Sequence, residues 1–230
     1  MCGRFSLVVP ERFFSKVFVF KDLPEMQPDY NIPPGVDIWA VRNAPRSDKA
    51  EVARLRWGLV PRWVKDPKIE NRMINARSET VAEKPAFKSA FISRRCLIPA
   101  DGFYEWKRAG KSRIPHHIFL ENHRPFAMGG LWECWKSPDG DRLESCTILT
   151  TGPNAIMGPL HDRMPVILHE NQIVDWLDPS TPTEELMRMT SPYPDQKMRA
   201  YPVSTLVNSP RNNSPECLEK QDILQKEELF

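Results

Sequence analysis

The segment RCLIPADGFYEWKR occupies residues 95–108 and contains two short apolar and aromatic runs joined at Asp101 and Gly102. Such runs on either side of turn-forming residues predict two consecutive strands. Runs of the same kind recur along the chain, at residues 36–42, 53–60, 95–100, 102–108, 116–120, 126–135 and 146–151. Strands that follow one another in this way predict a largely antiparallel sheet or barrel.

Helical periodicity is confined to three short segments, residues 11–20, 81–93 and 170–177. Apolar residues repeat along one face of the last two: Ala86, Phe87, Ala90 and Phe91, and then Ile173, Trp176 and Leu177. The chain also has 23 prolines, which disfavour long helices. We therefore predict an α+β fold, with one domain over residues 1–230 and a peripheral helix or tail over residues 217–230.

Composition excludes several classes of protein. No run of about 18 apolar residues is present, so a membrane span is not expected. The N-terminus lacks the long apolar region of a secretory signal, which predicts a cytoplasmic protein. The five cysteines, at positions 2, 96, 134, 146 and 217, form no CxxC pair. Neither a disulfide framework nor a zinc site is predicted, and no cofactor is expected.

Charge is distributed unevenly along the chain. Residues 42–113 contain 18 lysines and arginines against 8 acidic residues, whereas the rest of the chain contains 14 against 22. A basic middle segment is compatible with an anionic partner such as nucleic acid. The alternative interpretation is a set of solvated side chains on exposed faces.

Cys2 is the first candidate for chemistry. Initiator methionine is normally lost before a small residue, which would leave a free α-amine and a thiol on one residue. An α-amine has a pKa of about 7.7–8.0, so a useful fraction is neutral at pH 7. It can attack an aldehyde to give a Schiff base, which the thiol closes into a thiazolidine ring. The alternative is that Cys2 is simply a small buried residue.

Asn75 and Arg77 form a second candidate, in the segment MINARSET at residues 73–80. An amide and a guanidinium two residues apart on a strand face the same side, where the amide offers hydrogen-bond donors and an acceptor and the guanidinium fits a phosphate. In the alternative interpretation, this polar cluster serves to cap the helix that follows, through Ser78 or Thr80.

Glu105 is the third candidate. Strand alternation places it on one face with Phe103 and Lys107, and a carboxyl among aromatic residues is costly to bury in its charged form. Burial would raise its pKa and suit it to general acid–base catalysis. The alternative is an ion pair with a lysine at the sheet surface.

His161 follows a Gly-Pro pair and precedes Asp162 and Arg163. A loop histidine with such neighbours can donate a hydrogen bond to a developing hydroxyl group, although a structural histidine is the alternative. Aromatic residues among basic ones are typical of proteins that bind single strands. Of the two tryptophans in the basic segment, we expect Trp57 in the core and Trp63 at the surface.

Seven blocks of this sequence resemble one family in content and in order. They are MCGRF (1–5), YNIPPG (30–35), RWGLVPRW (56–63), MINARSET (73–80), RRCLIPADGFYEWK (94–107), HDRMPVIL (161–168) and VSTLVNSPRNNSPE (203–216). The family is that of the SOS-response-associated peptidase-like (SRAP) proteins, which shield abasic sites in DNA. The resemblance implies a β-barrel-like core surrounded by short helices.

The resemblance also implies roles for particular residues. Cys2 would be the nucleophile that forms the thiazolidine crosslink with ring-opened deoxyribose, after Met1 is lost by autoproteolysis or otherwise. Asn75 and His161 would hold the sugar, and Glu105 would act as the acid–base group. The expected DNA contacts are Arg4, Asn31, Pro34, Trp63, Arg77 and Arg163. The expected partner is single-stranded DNA with abasic sites, bound by a monomer associated with the nucleoid, and a lyase side activity is compatible with the Schiff base.

Two other classes of protein remain open at this point. Class II glutamine amidotransferases also begin with Met-Cys-Gly and use the cysteine as an N-terminal nucleophile, but the shared opening is only three residues long. A module that binds single-stranded DNA without covalent chemistry is the other alternative. Glutaminase activity would identify the first, and indifference to alkylation of Cys2 would identify the second.

Overall fold

The computed structural model describes residues 2–17, 20, 23–44, 49–65, 73–110 and 112–222. The strands are β1 (Phe5–Leu7), β2 (Asp29–Ile32), β3 (Asp37–Asn43), β4 (Ala50–Trp57), β5 (Asn75–Arg77), β6 (Arg95–Ala100), β7 (Gly102–Ala109), β8 (Ser112–Leu120), β9 (Phe126–Lys136), β10 (Arg142–Thr151), β11 (Met164–Pro165), β12 (Ile167–Leu168) and β13 (Met198–Pro202). The helices are α1 (Pro10–Val17), α2 (Lys88–Ser93), α3 (Ile173–Leu177) and α4 (Thr183–Met189).

Five strands close into a barrel. β3 pairs with β4 and β6, β6 pairs with β9, and β9 pairs with β10, all antiparallel. A parallel pairing of β10 with β4 completes the ring. A second sheet, in the order β13-β8-β7-β1-β2, lies beside it. The predicted α+β fold with a largely antiparallel, barrel-like core is therefore confirmed.

The central strand β6 is buried along its whole length. Its even-numbered residues, Cys96, Ile98 and Ala100, belong to one apolar cluster, whereas Leu97 belongs to a second cluster that includes residues of α2 and α3. Burial on both faces explains the nearly continuous apolar run. A Cβ on Gly130 of β9 would lie 2.8 Å from Cδ1 of Ile98 and 3.0 Å from the carbonyl oxygen of Thr147, so little room is left for a side chain there.

The helices are shorter than predicted. Of the helix predicted over residues 81–93, only Lys88–Ser93 is helical, because Pro85 lacks an amide hydrogen and restricts the residue before it. The predicted cap is also wrong: residues 78–80 form a 3₁₀ turn without a side-chain cap. The helix predicted over residues 170–177 divides into a 3₁₀ turn and α3, and its apolar stripe is buried as predicted.

The segment predicted as a peripheral tail begins inside the packed structure. Cys217 is fully buried in a small cluster with Tyr104, Val203 and Val207. The hydroxyl of Tyr201 donates to the carbonyl of Leu218 at 3.0 Å. Residues 223–230 lie outside the described residues. No helix in the described part of the chain has the length and apolar character needed to cross a membrane.

Candidate functional site

The N-terminal segment carries Cys2 to the edge of β7. β1 pairs antiparallel with β7 at Phe5 and Phe103, and the amide of Tyr104 donates to the carbonyl of Arg4 at 2.9 Å. The antiparallel direction takes Cys2 towards Glu105, whose charge acts on the Cys2 thiol. On its other side, the Asn75 side-chain amide donates to the Cys2 carbonyl at 2.8 Å.

Cys2 itself is fully buried. Burial raises the pKa of its thiol well above the ordinary range, and the charge of Glu105 raises it further. The thiol is therefore protonated at neutral pH. The alternative interpretation, that Cys2 is buried, is confirmed. Its surroundings nevertheless include a carboxyl group and an amide as well as apolar groups.

Glu105 lies in the buried part of β7 and is 4% exposed. Burial raises its pKa to about 7, and the charge of Asp162 contributes in the same direction. The prediction of a carboxyl with a raised pKa is confirmed, and the alternative of an ion pair at the sheet surface is wrong. A group with this pKa can both donate and accept a proton near neutral pH.

His161 ends a turn in which its amide donates to the carbonyl of Met157. Burial lowers the pKa of its ring, which is therefore neutral at pH 7. The amide of Arg163 donates to Nδ1 at 3.0 Å, so the proton of the neutral ring lies on Nε2. The Asp162 carboxylate, 2.8 Å from Nδ1, becomes a hydrogen-bond partner when the ring is protonated.

Glu105 and His161 lie together in the lining of an open cavity of about 810 Å³. It is lined by Glu105, Trp106, Arg108, Arg113 and residues 158–162, which include His161. Its volume lies in the range of cavities that hold small ligands. Arg108 and Arg113 were not predicted as site residues, because nothing in their sequence neighbourhood marks them and only the pairing of β7 with β8 brings them together.

Asn75 and Arg77 lie on β5, which runs parallel to β10, with buried Ala76 between them. The prediction that both face the same side of a strand is confirmed. Arg77 is exposed. The Oδ1 atom of Asn75 is buried and accepts no hydrogen bond from the described residues.

Arg163 is occupied by protein partners. Its guanidinium donates to both carboxylate oxygens of Glu79, at 2.6 and 2.9 Å, and to the carbonyl of Thr150 at 2.6 Å. Its side chain is only 11% exposed. A phosphate contact at Arg163 therefore requires Glu79 to move aside.

Arg4 and Asn31 hold a C-terminal loop in place. Arg4 donates to the side-chain oxygen of Asn31 at 2.6 Å and to the carbonyl of Val207 at 2.9 Å. Asn31 is 1% exposed, and its amide donates to the carbonyls of Ser209 and Asn212. The side chain of Asn31 therefore does not reach the surface, where the resemblance placed it.

The remaining two predicted contact residues are at or near the surface. Pro34 is half-buried in a turn completed by Gly35. Trp63 is 61% exposed, whereas Trp57 is fully buried, as predicted. The Trp63 loop is held from one side by β9, because Trp135 donates to the carbonyl of Val64 at 2.8 Å. The described residues contain no cluster of three or more side chains suited to a metal ion.

Comparison with known proteins gives consistent similarities. A family model described as SOS response associated peptidase (SRAP) matches residues 1–210. The chain is 46% identical over 226 residues to the abasic site processing protein YoqW of Bacillus subtilis, which covers 95% of this chain and 99% of that protein. It is 33% identical over 235 residues to the abasic site processing protein HMCES of Xenopus tropicalis, covering 89% of this chain and 70% of that protein.

Solved structures are also similar to this fold. A crystal structure of a protein from Bacteroides thetaiotaomicron superimposes with a TM-score of 0.75 at 28% identity, covering 95% of this chain and 92% of that one. A protein from Bordetella bronchiseptica gives a TM-score of 0.75 at 26% identity. The structural similarity therefore extends over most of this chain.

Proposed function

This chain belongs to the SOS-response-associated peptidase (SRAP) family, and on that premise we propose that it processes abasic sites in single-stranded DNA. In this proposal Met1 is removed, by autoproteolysis or otherwise, and Cys2 forms a covalent thiazolidine adduct with the sugar of the lesion. The observation that carries the proposal is the convergence of Cys2, Asn75 and Glu105 at one place, where Glu105 also lines a cavity together with His161.

The first step is exposure of the aldehyde. An abasic sugar is mostly a closed hemiacetal, so ring opening needs a proton on the ring oxygen and removal of one from the hydroxyl at C1′. Glu105, with a pKa of about 7, is protonated in a large fraction of molecules at neutral pH and can donate its proton to the ring oxygen. The carboxylate that remains can accept the proton of the C1′ hydroxyl as the ring carbon–oxygen bond breaks. Nε2–H of neutral His161 can then donate a hydrogen bond to the released hydroxyl group.

The second step is attack by the α-amine of processed Cys2. The amine nitrogen bonds to the aldehyde carbon, and loss of one water molecule leaves a Schiff base. The thiol then adds across the carbon–nitrogen double bond: sulfur bonds to carbon, and the thiol proton passes to nitrogen. The raised pKa of the thiol supports this order, since the amine is the better nucleophile while the thiol stays protonated. Holding both groups on one residue favours ring closure by proximity.

Ring closure also competes with strand cleavage, because the Schiff base is the intermediate from which β-elimination proceeds. Asn75 supports closure by positioning: its amide holds the Cys2 carbonyl, and its buried Oδ1 can accept a hydrogen bond from the sugar. Arg77, Arg4 and Trp63 are the proposed contacts for the strand on either side of the lesion, through phosphate binding and base stacking.

Intact-mass measurement tests the proposal. The purified protein is mixed with a single-stranded oligonucleotide whose uracil has been excised. We expect the protein without Met1, plus a species whose mass is the sum of protein and oligonucleotide less one water. An oligonucleotide that retains its uracil should give no adduct. Retention of Met1 together with a full yield of adduct would contradict the mechanism.

Two variants separate the covalent chemistry from the alternatives. Cys2→Ser should give an imine that borohydride traps but no heat-stable adduct, and it should cleave the strand more than the unchanged protein does. Cys134→Ser is the matched control, since Cys134 is a partly buried cysteine outside the site, and it should crosslink normally. A heat-stable adduct from Cys2→Ser would refute the thiazolidine, and glutaminase activity would favour an N-terminal-nucleophile hydrolase.

A further inference from the structure

The free end of the β7–β8 hairpin places two arginines directly opposite each other. Arg108 on β7 pairs in register with Arg113 on β8, and both side chains are exposed. Both also line the cavity that contains Glu105 and His161. None of the residues predicted to contact DNA lies on this hairpin. The two arginines therefore add a separate positive charge to the site.

Some other arginines on strands have acidic partners close to their guanidinium groups. Arg56 lies 2.7 Å from Asp37, and Arg199 lies 2.6 Å from Glu121. Within the described ranges, neither Arg108 nor Arg113 forms an ion pair with a carboxylate. Like charges directly opposite each other on neighbouring strands destabilise a hairpin. A local arrangement that costs stability is typical of a binding site, where a ligand supplies the missing charge.

Among the described residues, the carboxyl groups near the pair form no ion pair with either arginine. The Asp162 carboxylate is directed to the His161 ring at 2.8 Å. Glu105 is buried, with a pKa of about 7, so it is only partly charged at neutral pH. The charge of Arg108 does reach the site, since it adds to burial in lowering the pKa of His161. The cavity therefore presents a positive rim next to the proposed sugar site.

We propose that Arg108 and Arg113 form a clamp for one backbone phosphate of the DNA strand, next to the abasic nucleotide. Two guanidinium forks on facing strands can donate several hydrogen bonds to the oxygens of one phosphodiester. The phosphate would in turn remove the repulsion between the two arginines. This inference rests on the proposed function, and it adds an anchor on the hairpin side of the lesion to those proposed at Arg4 and Arg77.

Binding to an oligonucleotide with a tetrahydrofuran abasic analogue isolates this contact from the crosslinking chemistry, since the analogue has no aldehyde. For Arg108→Gln/Arg113→Gln we expect affinity to fall about tenfold, and the slope of log K against log salt to become shallower by about 0.7, the value for one phosphate on a single strand. Lys107→Gln is the matched control, because Lys107 is exposed on the same hairpin but does not line the cavity. Equal losses in the double variant and in the control would overturn the clamp.

A methylphosphonate scan identifies the phosphate concerned. Neutralising the phosphates one at a time should weaken binding by the unchanged protein at a position flanking the analogue. The double variant should lose nothing further at that position while keeping its losses elsewhere. The same profile in both proteins would refute the inference. Folding is checked by urea unfolding, where the double variant should be at least as stable as the unchanged protein, because its repulsion is gone.

The two proposals fail in distinguishable ways. Should the unchanged protein form its covalent adduct while the double variant binds the analogue as tightly as Lys107→Gln does, the clamp alone is wrong. Should no adduct form while the double variant still loses affinity at one phosphate, the proposed chemistry is wrong and the phosphate site stands.

Discussion

Two buried titratable groups of the second sheet, Glu105 and His117, lie in different surroundings. Glu105 lines the open cavity, whereas its neighbour Tyr104 pairs across the sheet with His117 in a closed part of the structure. His117 is 3% exposed, its ring lies 5.1 Å from that of Tyr104 and 5.6 Å from that of Phe119, and its Nε2 lies 3.2 Å from Ser6 Oγ. Burial lowers the pKa of His117 to about 3.

Burial therefore acts on both groups in the same sense, disfavouring the charged form, but with different consequences. Burial raises the pKa of Glu105 to about 7, and this carboxyl group lines a cavity, so it can exchange protons with a substrate. The pKa of His117 lies far below neutral pH, so its ring stays uncharged there. The ring is also enclosed by aromatic side chains. A shifted pKa thus indicates a functional group only where the group also has access to a ligand.

The largest expected effect is on the rate of crosslinking. Glu105→Gln should slow adduct formation about 100-fold, the lower end of what a general acid–base group contributes. His117→Gln should leave the rate unchanged, because the ring does not reach the cavity. The measurement is single-turnover formation of the heat-stable adduct. A similar loss of rate in both variants would show that access to the cavity does not distinguish Glu105 from His117.

The pH dependence of the same rate sharpens this test. An acid with a pKa of about 7 loses its proton above that pH. The amine, with a pKa of about 7.7–8.0, gains reactivity in the opposite direction, so the profile should be bell-shaped with a maximum at about pH 7.4. In Glu105→Gln the falling limb should disappear and the rate should rise with pH to a plateau.

The second effect is on the pH dependence of stability, to which Glu105 and His117 should make opposite contributions. The folded pKa of Glu105 is raised from 4.5 to about 7, so the stability that its neutral form provides is present below pH 4.5 and lost as pH rises towards 7. The folded pKa of His117 is lowered from 6.5 to about 3, so its contribution is present above pH 6.5 and lost as pH falls. Between pH 4.5 and 6.5, the changes that the two groups cause in the free energy of unfolding have opposite signs and should nearly cancel.

Single variants should expose the two slopes. From pH 4.5 to 6.5 the free energy of unfolding should rise by about 2 kcal/mol more in Glu105→Gln than in the unchanged protein, at about 1.36 kcal/mol per pH unit. It should fall by about 2 kcal/mol relative to the unchanged protein in His117→Gln over the same range. Urea unfolding at several pH values measures both. Parallel curves for the two variants would show that neither group titrates as its burial implies.

The strands were predictable from the sequence because runs of apolar and aromatic residues between turn-forming residues mark them locally. Each of the seven predicted runs corresponds to a strand, and the burial of Glu105 follows from its place between aromatic residues in β7. The helix over residues 81–93 was predicted too long, since apolar spacing continued across Pro85 while the backbone could not.

The partners of the charged residues were not predictable in the same way. The pairing of Arg163 with Glu79 joins residues 84 positions apart. The burial of Asn31 depends on a loop more than 170 positions further along the chain. The cross-strand pair of Arg108 and Arg113 depends on the register of β7 and β8. Long-range contacts of this kind decide whether an arginine is free to bind phosphate, and no local pattern records them.

The third prediction extends the comparison to aromatic residues. Trp63 is exposed, so Trp63→Ala should change the free energy of unfolding by less than about 0.5 kcal/mol. Loss of base stacking should weaken binding to the tetrahydrofuran oligonucleotide about tenfold. Val174→Ala is the matched control, an exposed apolar residue on α3. Equal affinity in the two variants would exclude Trp63 as a stacking platform.

The smallest expected effect concerns Glu79, a carboxylate that already has a protein partner in Arg163. Hydrogen bonds from Arg163 hold the pKa of Glu79 below its ordinary value, so this carboxylate is charged at neutral pH and competes with a phosphate for the same guanidinium. The Glu79 side chain is 51% exposed, so the ion pair itself contributes little stability. Glu79→Gln should therefore leave folding nearly unchanged.

Removing that competition should tighten binding to the tetrahydrofuran oligonucleotide about two- to threefold and steepen its salt dependence by about 0.7, as one more phosphate is engaged. Glu83→Gln removes the same charge from an exposed position close by on the chain. If both variants tightened binding equally, the gain would come from overall charge, and Arg163 would belong with His117 among the groups that serve the fold rather than the ligand.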